Sequence, residues 1–380
     1  MKIAVFIPSL TSGGAERVAV TLANEFAMLG HTTHLLVATD VPAKYVHEIN
    51  DSVSAHFFNA SRTFKCVPSL ARFINTNKPT VLLAIMDHAA IAAYAALLLS
   101  RERKNIRLFV RQAVSLEYKR AEFTGLKGAV KMYTKEAFVR IVYRNTDGVI
   151  SPSSILAQSL RSQYAPHINV MHIDNPVVTI DFKERSLSTP VNLPWQAAHK
   201  TVISAGRFTS QKDFLCLLKA FKILRKKVDC KLVLLGEGPE QDSLEDFIIE
   251  NNLRQHCYLP GFVSNPLTYF VAADVFALPS KFEGSPNVLI QALACGAAVV
   301  SSDCPTGPAE ILNNEEYGTL VPVGNEKAMA NAIEKTLSNL NTKKQQSIAK
   351  SIQEKYNSKK IATEYLSYLS SADKSEIDPV

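Results

Sequence analysis

The chain has 380 residues, enough for two domains of ordinary size, each with its own core. With 47% apolar and 20% charged residues, it has the composition of a globular protein and excludes a disordered or fibrous one. The formal charge of +7 is concentrated in Arg101–Arg144, where 12 Lys/Arg stand against 4 Glu, so the rest of the chain is close to neutral.

Six scattered cysteines (Cys66, Cys216, Cys230, Cys257, Cys295, Cys304) form no C-x-x-C pair and read as free thiols in a reducing, cytoplasmic setting. The opening MKIAVFIPSL reads as a strand and lacks the run and cleavage site of a signal peptide. The apolar stretch Thr80–Leu99 is broken by Asp87 and His88, which favours two short buried elements over a membrane span. No D-x-D, H-x-H or H-E-x-x-H pattern occurs, so neither a metal nor another cofactor is expected.

Lys2–Pro8 is a short apolar strand, followed by the loop Ser9–Gly14, an amphipathic helix Ala15–Leu29 ended by Gly30, and a strand Thr33–Ala38. This β-loop-α-β start is Rossmann-like, but SLTSGGAERV does not supply G-x-G-x-x-G, so NAD is disfavoured. Gly13-Gly14 reads either as a tight turn or as a place where backbone amides approach an anion. Further units follow: helix Pro68–Asn75, strand Val81–Ile85, helix Ala89–Leu99 and strand Ile106–Val110. In the basic segment 101–144, aromatic and aliphatic residues alternate with Lys and Arg. That mixture suits an anionic lipid surface, at about 1 kcal/mol per basic residue, and equally a solvated helix face. Nucleic acid is not expected, because no nucleic-acid-binding motif accompanies the charge. Strand Gly148–Ile150, helix Ser153–Ser162 and strand Asn169–Ile173 complete a first domain at 1–178; residues 179–199 read as an aperiodic linker.

A second β/α series occupies 200–357: strand Thr201–Ala205, helix Asp213–Lys226, strand Lys231–Leu235, helix Glu240–Asn251, strand and turn Tyr258–Val263, and strand Val275–Leu278. Pro286 is placed to open the next helix and Gly296 to end it, before strand Ala297–Ser301. A helix at 358–372 is expected to cross back to the first domain, with a polar tail at 373–380. The fold class is therefore α/β, two Rossmann-like doubly wound domains facing a cleft, with ligands outside the carboxyl ends of the strands. At that edge Arg207 and Lys212 flank one turn, and Glu283 stands before a helix N-terminus. Such a set can hold a diphosphate and accept hydroxyls from a sugar; separately, its members also read as surface charges on ordinary strand–loop–helix units.

GRFTSQKDFLCLLKAF, KLVLLGEGPE, YLPGFV and LPSKFEGSPNVLIQALACGAAVVSSD occur in the order and spacing of retaining glycosyltransferases of family 4, which have the GT-B fold. IPSLTSGGAERVAVTLANEFAMLGH resembles the N-terminal motif of the same family. The resemblance implies that Arg207 and Lys212 neutralise the leaving diphosphate of a nucleotide sugar and that Glu283 meets the donor sugar. It also implies that amides around Ser285, Asn287 and Val288 hold the sugar or β-phosphate, that Gly13 and Gly14 meet the diphosphate, and that Val263 lies near the base. Gln291 stands where most members carry a second glutamate on the ribose, which weakens that contact. Arg111-Gln112 replaces a histidine common in relatives, and His88 reads either as a substitute on the acceptor side or as an ordinary satisfied or exposed histidine. The implied activity is hexosyl or N-acetylhexosaminyl transfer, metal-independent, from a UDP- rather than GDP-sugar to a lipid-linked glycan at the cytoplasmic face of the inner membrane. A nucleotide-sugar epimerase of the same architecture and a non-catalytic sugar-nucleotide-binding module are the alternatives.

Overall fold

The computed structural model describes residues 1–11, 13–39, 41, 44–113, 125–164, 168–188, 193–194 and 199–371, with only the backbone at 125–131. Part of the basic segment (114–124) and the polar tail lie outside the described residues.

The chain divides into two compact units, Met1–Pro176 with the segment from Ser358 onward, and Val177–Asn357. The first begins β1 (Lys2–Ile7), α1 (Gly14–Met28), β2 (Thr32–Thr39), β3 (Ser54–Ala60), α2 (Val67–Asn77), β4 (Val81–Ile85) and α3 (Asp87–Leu99). It continues β5 (Arg107–Arg111), α4 (Gly125–Arg144), β6 (Gly148–Ser151), α5 (Ser154–Tyr164) and β7 (Val170–His172). Its seven strands pair in parallel in the order β3-β2-β1-β4-β5-β6-β7. Central strands such as IAVFI and VLLAI are unbroken apolar runs because helices cover both faces of a parallel sheet. The end of α1 follows from Gly30: with φ at +86° it lets its own N–H reach Ala27 O and that of His31 reach Phe26 O, both at 3.0 Å.

The second unit holds α6 (Phe182–Leu187), β8 (Lys200–Ala205), α7 (Phe214–Leu224), β9 (Cys230–Leu235), α8 (Gln241–Glu250), β10 (Cys257–Gly261) and α9 (Leu267–Val271). Then come β11 (Val275–Leu278), α10 (Asn287–Ala294), β12 (Ala298–Ser302), α11 (Pro308–Ile311), β13 (Thr319–Val321), α12 (Glu326–Ser338) and α13 (Thr342–Lys355). Six parallel strands run β10-β9-β8-β11-β12-β13. Phe208, Phe214, Leu217, Phe221, Leu232, Leu234 and Val275 form its core with Met329 and Ile333 of α12.

The last helix, α14 (Ser358–Ser371), returns to the first unit. Ser358 donates to Glu25 of α1, Tyr365 stacks near Phe26 (6.4 Å between rings), and Tyr368 meets Phe109 of β5 edge-on at 5.6 Å. The Tyr368 hydroxyl donates to Asn169 O and takes the space a side chain at Gly148 would need. Three elements depart from the sequence expectation. Strand β3 was not anticipated, because its side chains alternate between exposed and half-buried and give no apolar run. Strand β13 has only three residues. The aperiodic linker contains α6, which Asn265 ties down by donating to Arg185 O.

Candidate active site

In the second sheet, strand order reverses between β8 and β11, so the loops leaving these neighbours part and leave a crevice at the carboxyl edge. The two loops are zipped together at their bases. Gln211 donates to Phe282 O at 2.9 Å, and the amide of Lys281 donates to Gln211 O at 2.8 Å.

That zipper sets Lys212 against Glu283. Lys212 Nζ lies 2.6 Å from Glu283 Oε1, and the pair is largely withdrawn from solvent. The lysine stem runs over Gly206, where an added Cβ would stand 3.3 Å from Lys212 Cε. Arg207, next to Gly206, is exposed, with no ion pair or hydrogen bond from its side chain among the described residues. The crevice thus presents one engaged cation and one open cation.

Three hydroxyls hold Glu283 and its loop from beneath. Ser280 Oγ donates to Glu283 Oε1 at 2.6 Å, Ser302 Oγ donates to Ser280 O, and Thr306 Oγ1 donates to Glu283 O. All three side chains are buried. Gly307, with φ at +91°, brings the loop after β12 against Gly284–Pro286, and an added Cβ there would lie 2.7 Å from Pro286 Cδ. Burial pushes the neighbouring Cys304 thiol up to about 12, with the charge of Glu283 adding to the effect, so Cys304 stays protonated and is no nucleophile.

Pro286 caps α10 and does not open it; the helix begins at Asn287. The start of α10, beside Ser285, carries the partial positive charge of a helix N-terminus. Gln291 is buried one turn further, on the same face as Asn287. Val263 lies just past β10, two strands out from the crevice. The loop edges are joined there, since Gly236 N donates to Gly261 O and Gly206 N to Leu235 O.

The first sheet reverses between β1 and β4, and here the sequence-selected residues are arranged differently. Gly13 is the N-cap of α1, and Glu16 folds back over it; a Cβ on Gly13 would fall 2.1 Å from Glu16 Oε2. Thr11 Oγ1 donates to the same carboxylate at 3.2 Å, and Gly14 is exposed beside it. After β4, Met86 has φ at +78°, Asp87 is buried and His88 is exposed. Asp87 accepts from the Tyr143 hydroxyl at 3.0 Å and lies 3.9 Å from Lys135, both on α4.

Arg111 ends β5 as the sequence implies, but its side chain is turned inward. It donates to Asn175 Oδ1, while Nε and Nη1 are buried without a hydrogen bond among the described residues. Its charge sits by Tyr365, whose phenol burial pushes up while Arg111 pulls it the other way. Sequence reasoning did not single out Ser280, Ser302, Thr306, Glu16 or Asp87. Serine and threonine carry no motif signal, and Glu16 is recognisable only as the acid three residues after the Gly13 cap.

Comparison with known proteins decides what family this architecture serves. Residues 12–179 match the family described as Glycosyltransferase Family 4, and residues 190–355 match Glycosyl transferases group 1. The chain is a family 4 glycosyltransferase. It is 29% identical to the N-acetylgalactosamine-N,N'-diacetylbacillosaminyl-diphospho-undecaprenol 4-alpha-N-acetylgalactosaminyltransferase of Campylobacter jejuni, over 97% of this chain and 99% of that one. It is 27% identical to the amylovoran biosynthesis glycosyltransferase AmsD of Erwinia amylovora, over 83% and 85%. Among solved structures, Anabaena HepE in complex with UDP-glucose superposes with a TM-score of 0.78 at 17% identity, covering 98% of this chain and all of that one. Sucrose-phosphate synthase from Thermosynechococcus elongatus does so at 0.78 and 20%, covering 96% and 97%. The glycosyltransferase thus has the GT-B architecture expected from its motifs. No helix among its described residues is long and apolar enough to cross a membrane.

Proposed function

We propose that this glycosyltransferase moves a hexosyl or N-acetylhexosaminyl group, with retention, from a UDP-sugar to a lipid-linked glycan in cell-surface polysaccharide synthesis. The observation that carries the reading is the crevice between β8 and β11. It gathers two cations, a helix start and a held carboxylate, the groups needed for a diphosphate with a sugar attached. The relatives support the acceptor class: the Campylobacter protein is named for a diphospho-undecaprenol substrate, and others for amylovoran and lipopolysaccharide core synthesis.

In this reading Arg207, Lys212 and the α10 amides at Asn287 and Val288 stabilise the charge that develops on the departing diphosphate. Glu283 keeps Oε2 clear of hydrogen bonds from the described residues, and that oxygen receives a donor-sugar hydroxyl. Ser285 holds the sugar or β-phosphate, Gln291 the ribose, and Val263 lies by the base. The acceptor hydroxyl attacks the face from which the diphosphate leaves, and a diphosphate oxygen takes its proton. No metal enters the step. His88 faces the acceptor, and Arg111 supports that side by holding Asn175.

The first unit also supplies a surface for an anionic bilayer at the cytoplasmic face. Tyr143 and Lys135 of α4 both reach Asp87 at the end of β4, so α4 passes the sheet edge near residue 139. Tyr133, Phe138 and Ile141 are exposed on α4 beside exposed Arg140 and Arg144, a mixture suited to lipid headgroups and acyl chains.

The test is a panel of UDP- and GDP-sugars, following nucleotide release in EDTA with and without a lipid extract. Release that requires one UDP-sugar and the lipid supports the proposal. Tight binding without release under any acceptor indicates a non-catalytic module. Absence of binding by every nucleotide sugar refutes the site.

A further inference from the structure

The Lys212–Glu283 pair carries a conflict. Lys212 is engaged with Glu283 at 2.6 Å, yet a diphosphate in the crevice attracts the same ammonium. As the lysine turns toward phosphate, the carboxylate loses its strongest partner while remaining 95% withdrawn from solvent. A buried carboxylate without a donor is costly and free to rotate away from the sugar. Only one other side chain among the described residues reaches that carboxylate: Ser280, 2.6 Å from Oε1, itself fully buried and too far inside the loop to meet a nucleotide.

We propose that Ser280 is a positioning residue which holds Glu283 aligned for the donor sugar when Lys212 is drawn to the diphosphate. The proposal rests on the donor-site reading above. Its geometry is a short relay. Ser302 fixes the backbone of Ser280 through its carbonyl, Ser280 fixes Oε1, and Thr306 fixes the backbone of Glu283 through its carbonyl. The hydroxyl of Ser280 donates to one oxygen of Glu283 and so aims the other at the sugar. Ser280 therefore governs recognition of the donor sugar more than of the nucleoside diphosphate.

The experiment compares the full-length wild type with Ser280→Ala, Ser280→Thr and Ser302→Ala. It measures kcat and KM with the UDP-sugar that the wild type uses, and Kd for UDP alone by calorimetry. Loss of a hydrogen bond to a charged group predicts a fall in kcat/KM of about tenfold or more for Ser280→Ala. UDP affinity falls by clearly less than that, because UDP draws Lys212 to its diphosphate but carries no donor sugar for Glu283 to grip. Ser280→Thr keeps the hydroxyl and recovers most of the loss, and Ser302→Ala, one step removed, loses less than threefold. An active wild type whose Ser280→Ala variant keeps its donor kinetics overturns the proposal. So does a variant whose UDP affinity falls in parallel, or a Ser302→Ala variant equally impaired, since either means the hydroxyls merely hold the loops. A wild type that transfers from no nucleotide sugar overturns instead the reading beneath it.

Discussion

The two sheets reach the same topological device and load it with opposite charge. Between β8 and β11, Arg207 stands open, Lys212 is partnered, and the start of α10 carries the partial positive charge of a helix N-terminus. Between β1 and β4, the start of α1 is already covered by the chain's own acid, Glu16, supported by Thr11. A helix N-terminus attracts anions in either place, but at α1 the demand is met internally. The contrast leaves the open positive charge in the second unit. It makes the Gly13-Gly14 loop a shaped surface more than a source of charge.

The comparison breaks most visibly if the cations are removed. Lys212→Ala and Arg207→Ala are each expected to lower kcat at least tenfold, with Lys212→Ala the larger loss because it also strands Glu283. Steady-state kinetics with the preferred donor decide it, and unchanged transfer in both variants would refute their role. Glu16→Gln sharpens the contrast from the other side. It weakens the α1 cap, at about 0.5–1 kcal/mol of stability read by denaturant melts, while donor KM stays the same or falls. A rise in donor KM comparable to that of Lys212→Ala would mean that Glu16 serves the donor site after all.

The smallest effect is one of pH, and it singles out the first unit. His34 and His56 lie 3.2 Å apart against Phe73, and burial lowers both, with the charges of His56 and Lys2 adding at His34. Below about 6.5 the unfolded chain therefore takes up protons that the folded unit resists. Stability from this pair is present above that pH and is lost as pH falls through the lowered folded values. Thermal melts from pH 7.5 to 5.5 should show that decline, and His34→Gln should flatten it. An unaltered slope in the variant would remove the pair from the account.

The residues of the crevice between β8 and β11 were legible in the sequence because each is a type that distinctive chemistry favours. A glycine turn with two cations, an acid before Ser-Pro-Asn and a glycine terminator can be recognised without coordinates. Gly30 and Gly296 end their helices as the sequence implies, each at positive φ. What could not be read was orientation. Arg111 stands at the expected strand end, but only packing against Asn175 and Tyr365 turns it inward. The hydroxyls of Ser280 and Thr306 gain meaning only once β12 brings its loop beneath that of β11. Strand β3 escaped notice because a sheet edge needs little apolar patterning.

The return of α14 also orders events during synthesis. The face formed by Phe26 and Phe109 is complete in sequence once Pro176 has been made, yet its cover begins only at Ser358. At about 5–20 residues per second, the ribosome takes roughly ten to forty seconds to supply it. Throughout that interval the emerging second unit folds while the first still exposes an apolar surface. In the nascent chain that face of the first unit therefore stays uncovered until the last helix has been made.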